Sequence, residues 1–416
     1  MTPTRAAILP LAFVLAAAAP EAARAFETVD TLPWPSRGRF PAYPADPTYP
    51  TGLSAQAGVM RDNNLLRRQI GAESDTVTRL GVGLRHEARV VGRQRVRLDA
   101  NGDFYKFDRF DQLDHFAYSA LGRWDWEIGN DYAGTVLAAR ERRHVDFGDA
   151  GIARRDLVTL SRVGATGGVM LTPRWRLRGG LAGFWAERPV RRDAETRGVT
   201  ATVGSDYVTP LGNALGAEYR HTRANVPAGE FIDPAGVFVD NDSIEHELSL
   251  VATYRPGAQL RTEGRVGYTR RDYTMLPGRD FSGATYRAAA EWFPGNKTLL
   301  AAEAYREPRS ILDIAASHVV VRGLAFGPSW AVTNKLVLSA RLVRERRTYE
   351  GDPALVLVPG TPLRDDLLHV RRLGIGWEPA RHWHVSAAID HGERDSNLFP
   401  LSYRYTATTL NVAWRY

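Results

Sequence analysis

The sequence predicts an all-β protein: a transmembrane antiparallel β-barrel of about eighteen strands, with sixteen as the lower count. Three observations carry that reading. From about residue 53 to the end, segments of roughly ten to fifteen residues alternate polar and apolar side chains. The connections between them alternate short and long. The chain opens on an export signal and closes on an aromatic residue.

The first residues have the three parts of a secretory signal. Arg5 is basic, "AAILPLAFVLAAAA" is apolar, and "ARA" (Ala23–Ala25) is a small-x-small cleavage site. Residues 1–25 are therefore expected to be removed, leaving Phe26 first. Residues 26–52 are rich in proline and aromatics and are expected to form an extended periplasmic lead-in. The barrel is expected to occupy 53–416, in the outer membrane of a Gram-negative cell. No later stretch holds eighteen successive apolar residues, so no membrane-spanning helix is expected.

Composition narrows the function classes. The chain has 416 residues, a formal net charge of +7 and no cysteine. Disulfides, thiolate metal sites, a thiol nucleophile and a lipidated cysteine are all excluded. Only three of the 54 basic residues are lysines (Lys106, Lys297 and Lys335), and acidic residues are interleaved throughout. No basic block of the nucleic-acid-binding kind occurs, so no nucleic-acid partner is expected.

The expected strands are 53–62, 75–87, 93–107, 112–127, 131–145, 155–170, 174–188, 195–208, 212–224, 243–254, 258–271, 281–293, 297–308, 316–330, 335–348, 366–378, 382–394 and 402–416. Turns after even-numbered segments are tight, such as "IGND", "TPR", "FPGN" and "EPAR", with the Gly, Pro and Asn that tight turns need. Connections after odd-numbered segments are mostly longer, such as "DNNLLRRQIGAES". A soluble sandwich has no reason to sort its loops this way. A membrane barrel does, with short periplasmic turns and long outer loops.

Each strand carries two chemistries. In "RWRLRG" (174–179), Arg174, Arg176 and Arg178 share one face of a strand, and Trp175 and Leu177 share the other. Turning charge toward lipid costs roughly 2–4 kcal/mol at mid-depth, so the arginines are assigned to a wet lumen. The same alternation assigns Arg95, Arg97, Asp99, Arg123, Asp125, Arg261, Arg265 and Arg287 to the lumen, with Tyr105 beside them. The mean hydropathy of −0.31 then fits a membrane protein, since only half of each strand is apolar. Trp124, Trp126, Trp175, Trp292, Trp377 and Trp414 fall on the greasy face near short turns, as an interfacial girdle would. The last strand, "TLNVAWRY", ends on Tyr416, the terminal aromatic through which barrel assembly machinery engages such proteins.

On these residues the chain resembles outer-membrane barrels encoded in exopolysaccharide operons, the group designated β-barrel porin 2. The resemblance spreads over most of the chain. It is carried most specifically by "GVMRDNNLLR" (58–67), then by "DTVTRLGVGLRHEARVVGRQRVRLDANGDFYKF" (75–107) and the "RWDW" strand. It implies secretion or surface assembly of an exopolysaccharide. Polysaccharide export components and an acidic polymer are then its expected partners, beside outer-membrane lipid and lipopolysaccharide. The alternative is a general or anion-preferring diffusion porin, with the 225–242 or 349–365 loop as its constriction. A barrel enzyme ranks third, because no nucleophile–base constellation can be placed.

The individual sites have competing readings. The lumen arginines either form an electropositive lining or pair with inward acids; the 174–178 row is the best candidate for unpaired charge. "DANGD" (99–103) resembles a calcium loop, but its polar side chains line a strand and no suitable Glu follows. His382 and His384 share an inward face without an evident third ligand. Tyr105 and Phe107 either stack on sugar rings or sit as rim aromatics. No metal and no cofactor is expected.

Overall fold

The computed structural model describes residues 51–150, 154–192, 195–227, 230–231, 238–239, 242–274, 280–310, 318–350 and 363–416. The signal and most of the lead-in lie outside them. The strands are β1 (Thr51–Asp62), β2 (Asp75–Arg89), β3 (Arg95–Phe107), β4 (His115–Ile128), β5 (Tyr132–His144), β6 (Leu157–Thr172), β7 (Trp175–Glu187), β8 (Thr196–Val208) and β9 (Ala214–Asn225). They continue as β10 (Glu230–Phe231), β11 (Phe238–Val239), β12 (Ser243–Tyr254), β13 (Leu260–Tyr273), β14 (Phe281–Gly295), β15 (Thr298–Ser310), β16 (His318–Ala331), β17 (Leu336–Glu350), β18 (Asp365–Ala380), β19 (Trp383–Ser396) and β20 (Tyr403–Arg415).

All but β10 and β11 belong to one 18-stranded antiparallel sheet in which each strand pairs with its neighbours in sequence. The sheet closes where β1 meets β20, in register from Ser54 opposite Arg415 to Asp62 opposite Ala407. Leu53 and Tyr416 exchange backbone hydrogen bonds of 2.9 and 2.8 Å at that seam. Closure removes the free edges that an open sheet would expose. β10 and β11 form a separate two-stranded ribbon in the connection between β9 and β12.

Every strand expected from the sequence is present. The shifts of two residues at several starts fall at tight turns, as at 258 against Leu260 and 212 against Ala214. There, turn residues continue the alternation without joining the ladder. β1 begins at Thr51, inside the expected lead-in. Loop parity holds: the connections 90–94, 129–131, 173–174 and 296–297 lie at one end, and 63–74, 145–156 and 226–242 at the other.

The two faces are unambiguous. Leu80, Val82 and Leu84 on β2, Leu98 and Phe104 on β3, and Val266 and Tyr268 on β13 stand exposed on one face. The other face carries the ion pairs. Arg178 on β7 reaches Glu218 on β9, and Arg265 on β13 reaches the same carboxylate from the other side. Each contact skips an intervening strand, which only the concave side of a curved sheet permits. The charged face is therefore the inside.

Glycines let inner aromatics lie flat on the wall. A Cβ at Gly392 would stand 2.0 Å from Tyr405 Cε1, and one at Gly323 would stand 2.2 Å from the Tyr305 ring. Both rings are buried, and only glycine leaves room beneath them.

Candidate functional site

The middle of the inner wall is a lattice of ion pairs. Asp206 on β8 accepts from Arg176 at 2.7 Å and from Arg178 at 3.0 Å, both on β7. Arg178 also pairs with Glu218, and Arg265 bridges Glu218 to Glu247 on β12. Arg220 closes the series on Glu247 at 2.9 Å. Asp206, Glu218 and Glu247 are each nearly inaccessible, so their charges depend on these arginines.

The same pattern runs round the barrel. Arg97 pairs with Asp99 at 2.5 Å, Arg123 with Asp125 at 2.7 Å, and Arg261 with Glu263. Arg287 pairs with Glu303 at 2.5 Å, and Arg79 with Asp103 at 2.8 Å. Arg95 stands opposite Asp125 in the β3–β4 register. Two expectations are corrected here. The 174–178 row is not unpaired charge, because Asp206 and Glu218, distant in sequence, arrive beside it through the sheet. Arg174 lies outside the lumen row: it belongs to the turn before β7, and its Nη1 donates to the outward Tyr207 hydroxyl at 3.0 Å.

Other candidates are used structurally. Tyr105 is stacked on His115, with ring centroids 4.9 Å apart and planes 10° apart. Phe107 is buried in a cluster with Met60, Leu65, Val77 and Tyr405. The Phe107 ring is therefore closed to a sugar, and one face of Tyr105 is taken by His115. The acids of "DANGD" are held by arginines, as above. His382 does not share the face of His384: it sits in the turn before β19, bonded to the Arg415 carbonyl at 2.7 Å and stacked on Tyr416. No group of three metal-ligating side chains occurs among the described residues.

On the outside, Trp124, Trp175, Trp292 and Trp377 stand exposed near the short-turn end. Trp126 lies over Gly134, where a Cβ would come within 2.4 Å of Cζ2. Trp414 stacks on Tyr416 at 5.9 Å. Trp330 and Trp383 belong to the same belt and were not anticipated.

The long-loop end holds two features that the sequence did not reveal. The first is a latch at the barrel seam. In "GVMRDNNLLR", Asp62 pairs with Arg67 at 2.8 Å and accepts from the Asn64 N–H at 2.9 Å. Asn64 Nδ2 donates to the carbonyls of Arg68 and Arg404 at 2.8 and 2.9 Å. The Arg67 guanidinium lies 3.6 Å above the Tyr405 ring. Burial alone would lower the pKa of Arg67, but Asp62, together with Tyr405 and Asp146, more than offsets that and holds it above the ordinary value. Arg67 also has a positive φ of 56°, a strained backbone that this set of contacts holds in place.

The second is a loop that crosses the lumen. After β5, Phe147 is buried in the same cluster as Tyr403 and Tyr405. Arg394 on β19 donates to the Gly148 carbonyl at 2.8 Å. β5 and β19 are separated by β4, β3, β2, β1 and β20 around the sheet, so residues 146–148 reach across the inside. The loop's return is fastened by a buried Arg188–Asp156 pair, and Asp156 N–H donates to His144 Nε2 at 3.3 Å. The described inward residues are therefore 146–148. The 225–242 and 349–365 loops, expected in that role, fall largely outside the described residues.

No protein-family model matches the chain, and no curated protein matches it. Solved structures do. The outer-membrane protein OpdK of Pseudomonas aeruginosa is 8% identical over 88% of this chain and 99% of its own, with a TM-score of 0.47. OccK2 of the same organism is 12% identical over 88% and 96%, with a TM-score of 0.49. OccAB3 of Acinetobacter baumannii is 9% identical over 88% and 98%, with a TM-score of 0.47. At such values the likeness carries no residue role and no substrate to this chain.

Proposed function

We propose that the chain is an outer-membrane diffusion channel for small solutes. The observation that carries it is the two-sided wall: a closed barrel, apolar outside with aromatics at one rim, and lined inside by paired charges. Such a wall is stable only with lipid on one side and water on the other. The loop fastened across the inside favours small solutes over a polymer. The export signal read in residues 1–25 supports delivery to that membrane. The proposal assigns the chain no covalent chemistry.

The exopolysaccharide reading has less support. Its most specific motif, residues 58–67, is occupied in the seam latch, and no family model carries the resemblance further.

Purified protein added to planar lipid bilayers should produce discrete conductance steps with weak ion selectivity, because the lining charges are paired. Absence of steps in folded, inserted protein would overturn the proposal. Selectivity should move when a pair is broken. Asp206→Asn leaves Arg176 and Arg178 sharing one fewer carboxylate, so reversal potentials in a salt gradient should shift toward anions. An unchanged reversal potential would place these charges off the conduction path.

A further inference from the structure

The outer face of β15–β18 is the anomaly of this wall. Arg322, Arg344 and Arg371 stand exposed on the same face as Leu324, Leu342 and Leu373. No carboxylate among the described residues pairs with them. Arg306 lies directly opposite Arg322, and Arg322 opposite Arg346, in the strand registers. Arg344 lies opposite His369. Like charges set opposite each other destabilise a sheet. Several outward arginines elsewhere have carboxylate partners: Arg140 with Glu187, Arg270 with Asp272, and Arg404 with Glu393. Within this cluster, Arg346 pairs with Asp365 at 3.0 Å and Arg306 donates to the Ala284 carbonyl, which leaves Arg322, Arg344 and Arg371 without a carboxylate among the described residues.

Beside the arginines is a groove of about 820 Å³. Its floor is made of small outward residues, Gly264, Ala288, Ala302 and Ala304, and its wall of Leu324 and Leu342. Arg344, His369 and Arg371 form its rim. The cluster also has a definite height. Arg322 is eight residues from Trp330 along β16, and His369 eight from Trp377 along β18. At about 3.3 Å per residue and a tilt of about 40°, that is roughly 20 Å of height. The apolar band of such barrels is about 25 Å tall, so the guanidiniums stand near its far edge.

We propose that this face binds a phosphorylated glycolipid of the outer leaflet. Its acyl chains would lie in the groove, and its phosphates would be held by Arg322, Arg344 and Arg371. Charge complementarity selects this occupant. Arginine forks match phosphate oxygens, and the positive cluster lies beside an apolar trough at the level where phosphate head groups sit. The inference rests on the outer-membrane reading above.

The test uses full-length protein extracted from outer membranes, with native mass spectrometry during titration by bis-phosphorylated lipid A. The Arg322→Gln/Arg344→Gln/Arg371→Gln variant should bind roughly tenfold more weakly or worse, the loss expected when several charge-assisted bonds go. Arg140→Gln/Arg270→Gln/Arg404→Gln, at paired sites, should bind like the parent. Dephosphorylated lipid A should bind parent and triple variant alike. Inorganic phosphate alone should not compete, because it offers nothing to the groove. Equal affinity of parent and triple variant would overturn the proposal. So would a dimer that the triple variant dissociates without change in lipid binding, since a second copy would then occupy the groove. Protein absent from the outer-membrane fraction would instead sink the channel reading, so the two failures are distinguishable.

Discussion

Asp62→Ala should destabilise the barrel by about 3–5 kcal/mol, the cost of stranding a buried guanidinium. The Asp62 side chain is 0% exposed and that of Arg67 1%. Their pair sits where the last strand meets the first, so its loss falls on closure. Arg67 would remain over Tyr405 and bonded to the Asn64 carbonyl, with no carboxylate to balance its charge at this position. Unfolding in urea from lipid vesicles, followed by heat-modifiable migration, reads the change. Asp62→Ala combined with Arg67→Met should recover most of the loss, because it removes the stranded charge and keeps the apolar cover on Leu65 and Tyr405. A single variant as stable as the parent would show that water reaches the latch.

The contrast between this latch and the strands explains what was legible in the sequence. A strand facing lipid and water writes its two faces into a period of two, and each residue's side follows from its parity. Arg176 inward and Leu177 outward needed nothing beyond "RWRLRG". The final strand was legible for the same reason, down to Trp414 and Tyr416. Partners were not. Asp206 and Glu218 stand beside Arg178 because strands 28 and 40 residues away are laid in register. A sequence read strand by strand supplies the charge and omits its neighbour, which is why this row looked unpaired.

The crossing loop was hidden by a different cause. "VDFGDAG" (145–151) is short and unremarkable beside the Pro- and Gly-rich 225–242 and 349–365 segments. Its inward course is decided by contacts with β19 and β20, as in the Arg394–Gly148 bond between residues 246 apart. Arg174 failed more simply. Parity holds within a strand, and Arg174 lies just before one.

Unfastening the crossing loop should have the largest effect on conduction. Arg188→Ala leaves Asp156, which is 0% exposed, as a buried carboxylate with its main cation gone, and Arg394→Ala frees the Gly148 carbonyl. The first change alone costs the loop about 3–5 kcal/mol, enough to populate a state in which residues 146–148 leave the inner wall. Single-channel conductance of the double variant should rise by roughly twofold or more, with larger neutral polymers admitted in exclusion measurements. The barrel itself should survive, since neither arginine belongs to the β1–β20 seam. Arg394→Lys, which keeps a donor near Gly148, should restore part of the parental conductance. Parental conductance in a double variant that still folds and inserts would mean that solutes pass beside this loop, and the narrowest point would then lie in the lattice around Asp206.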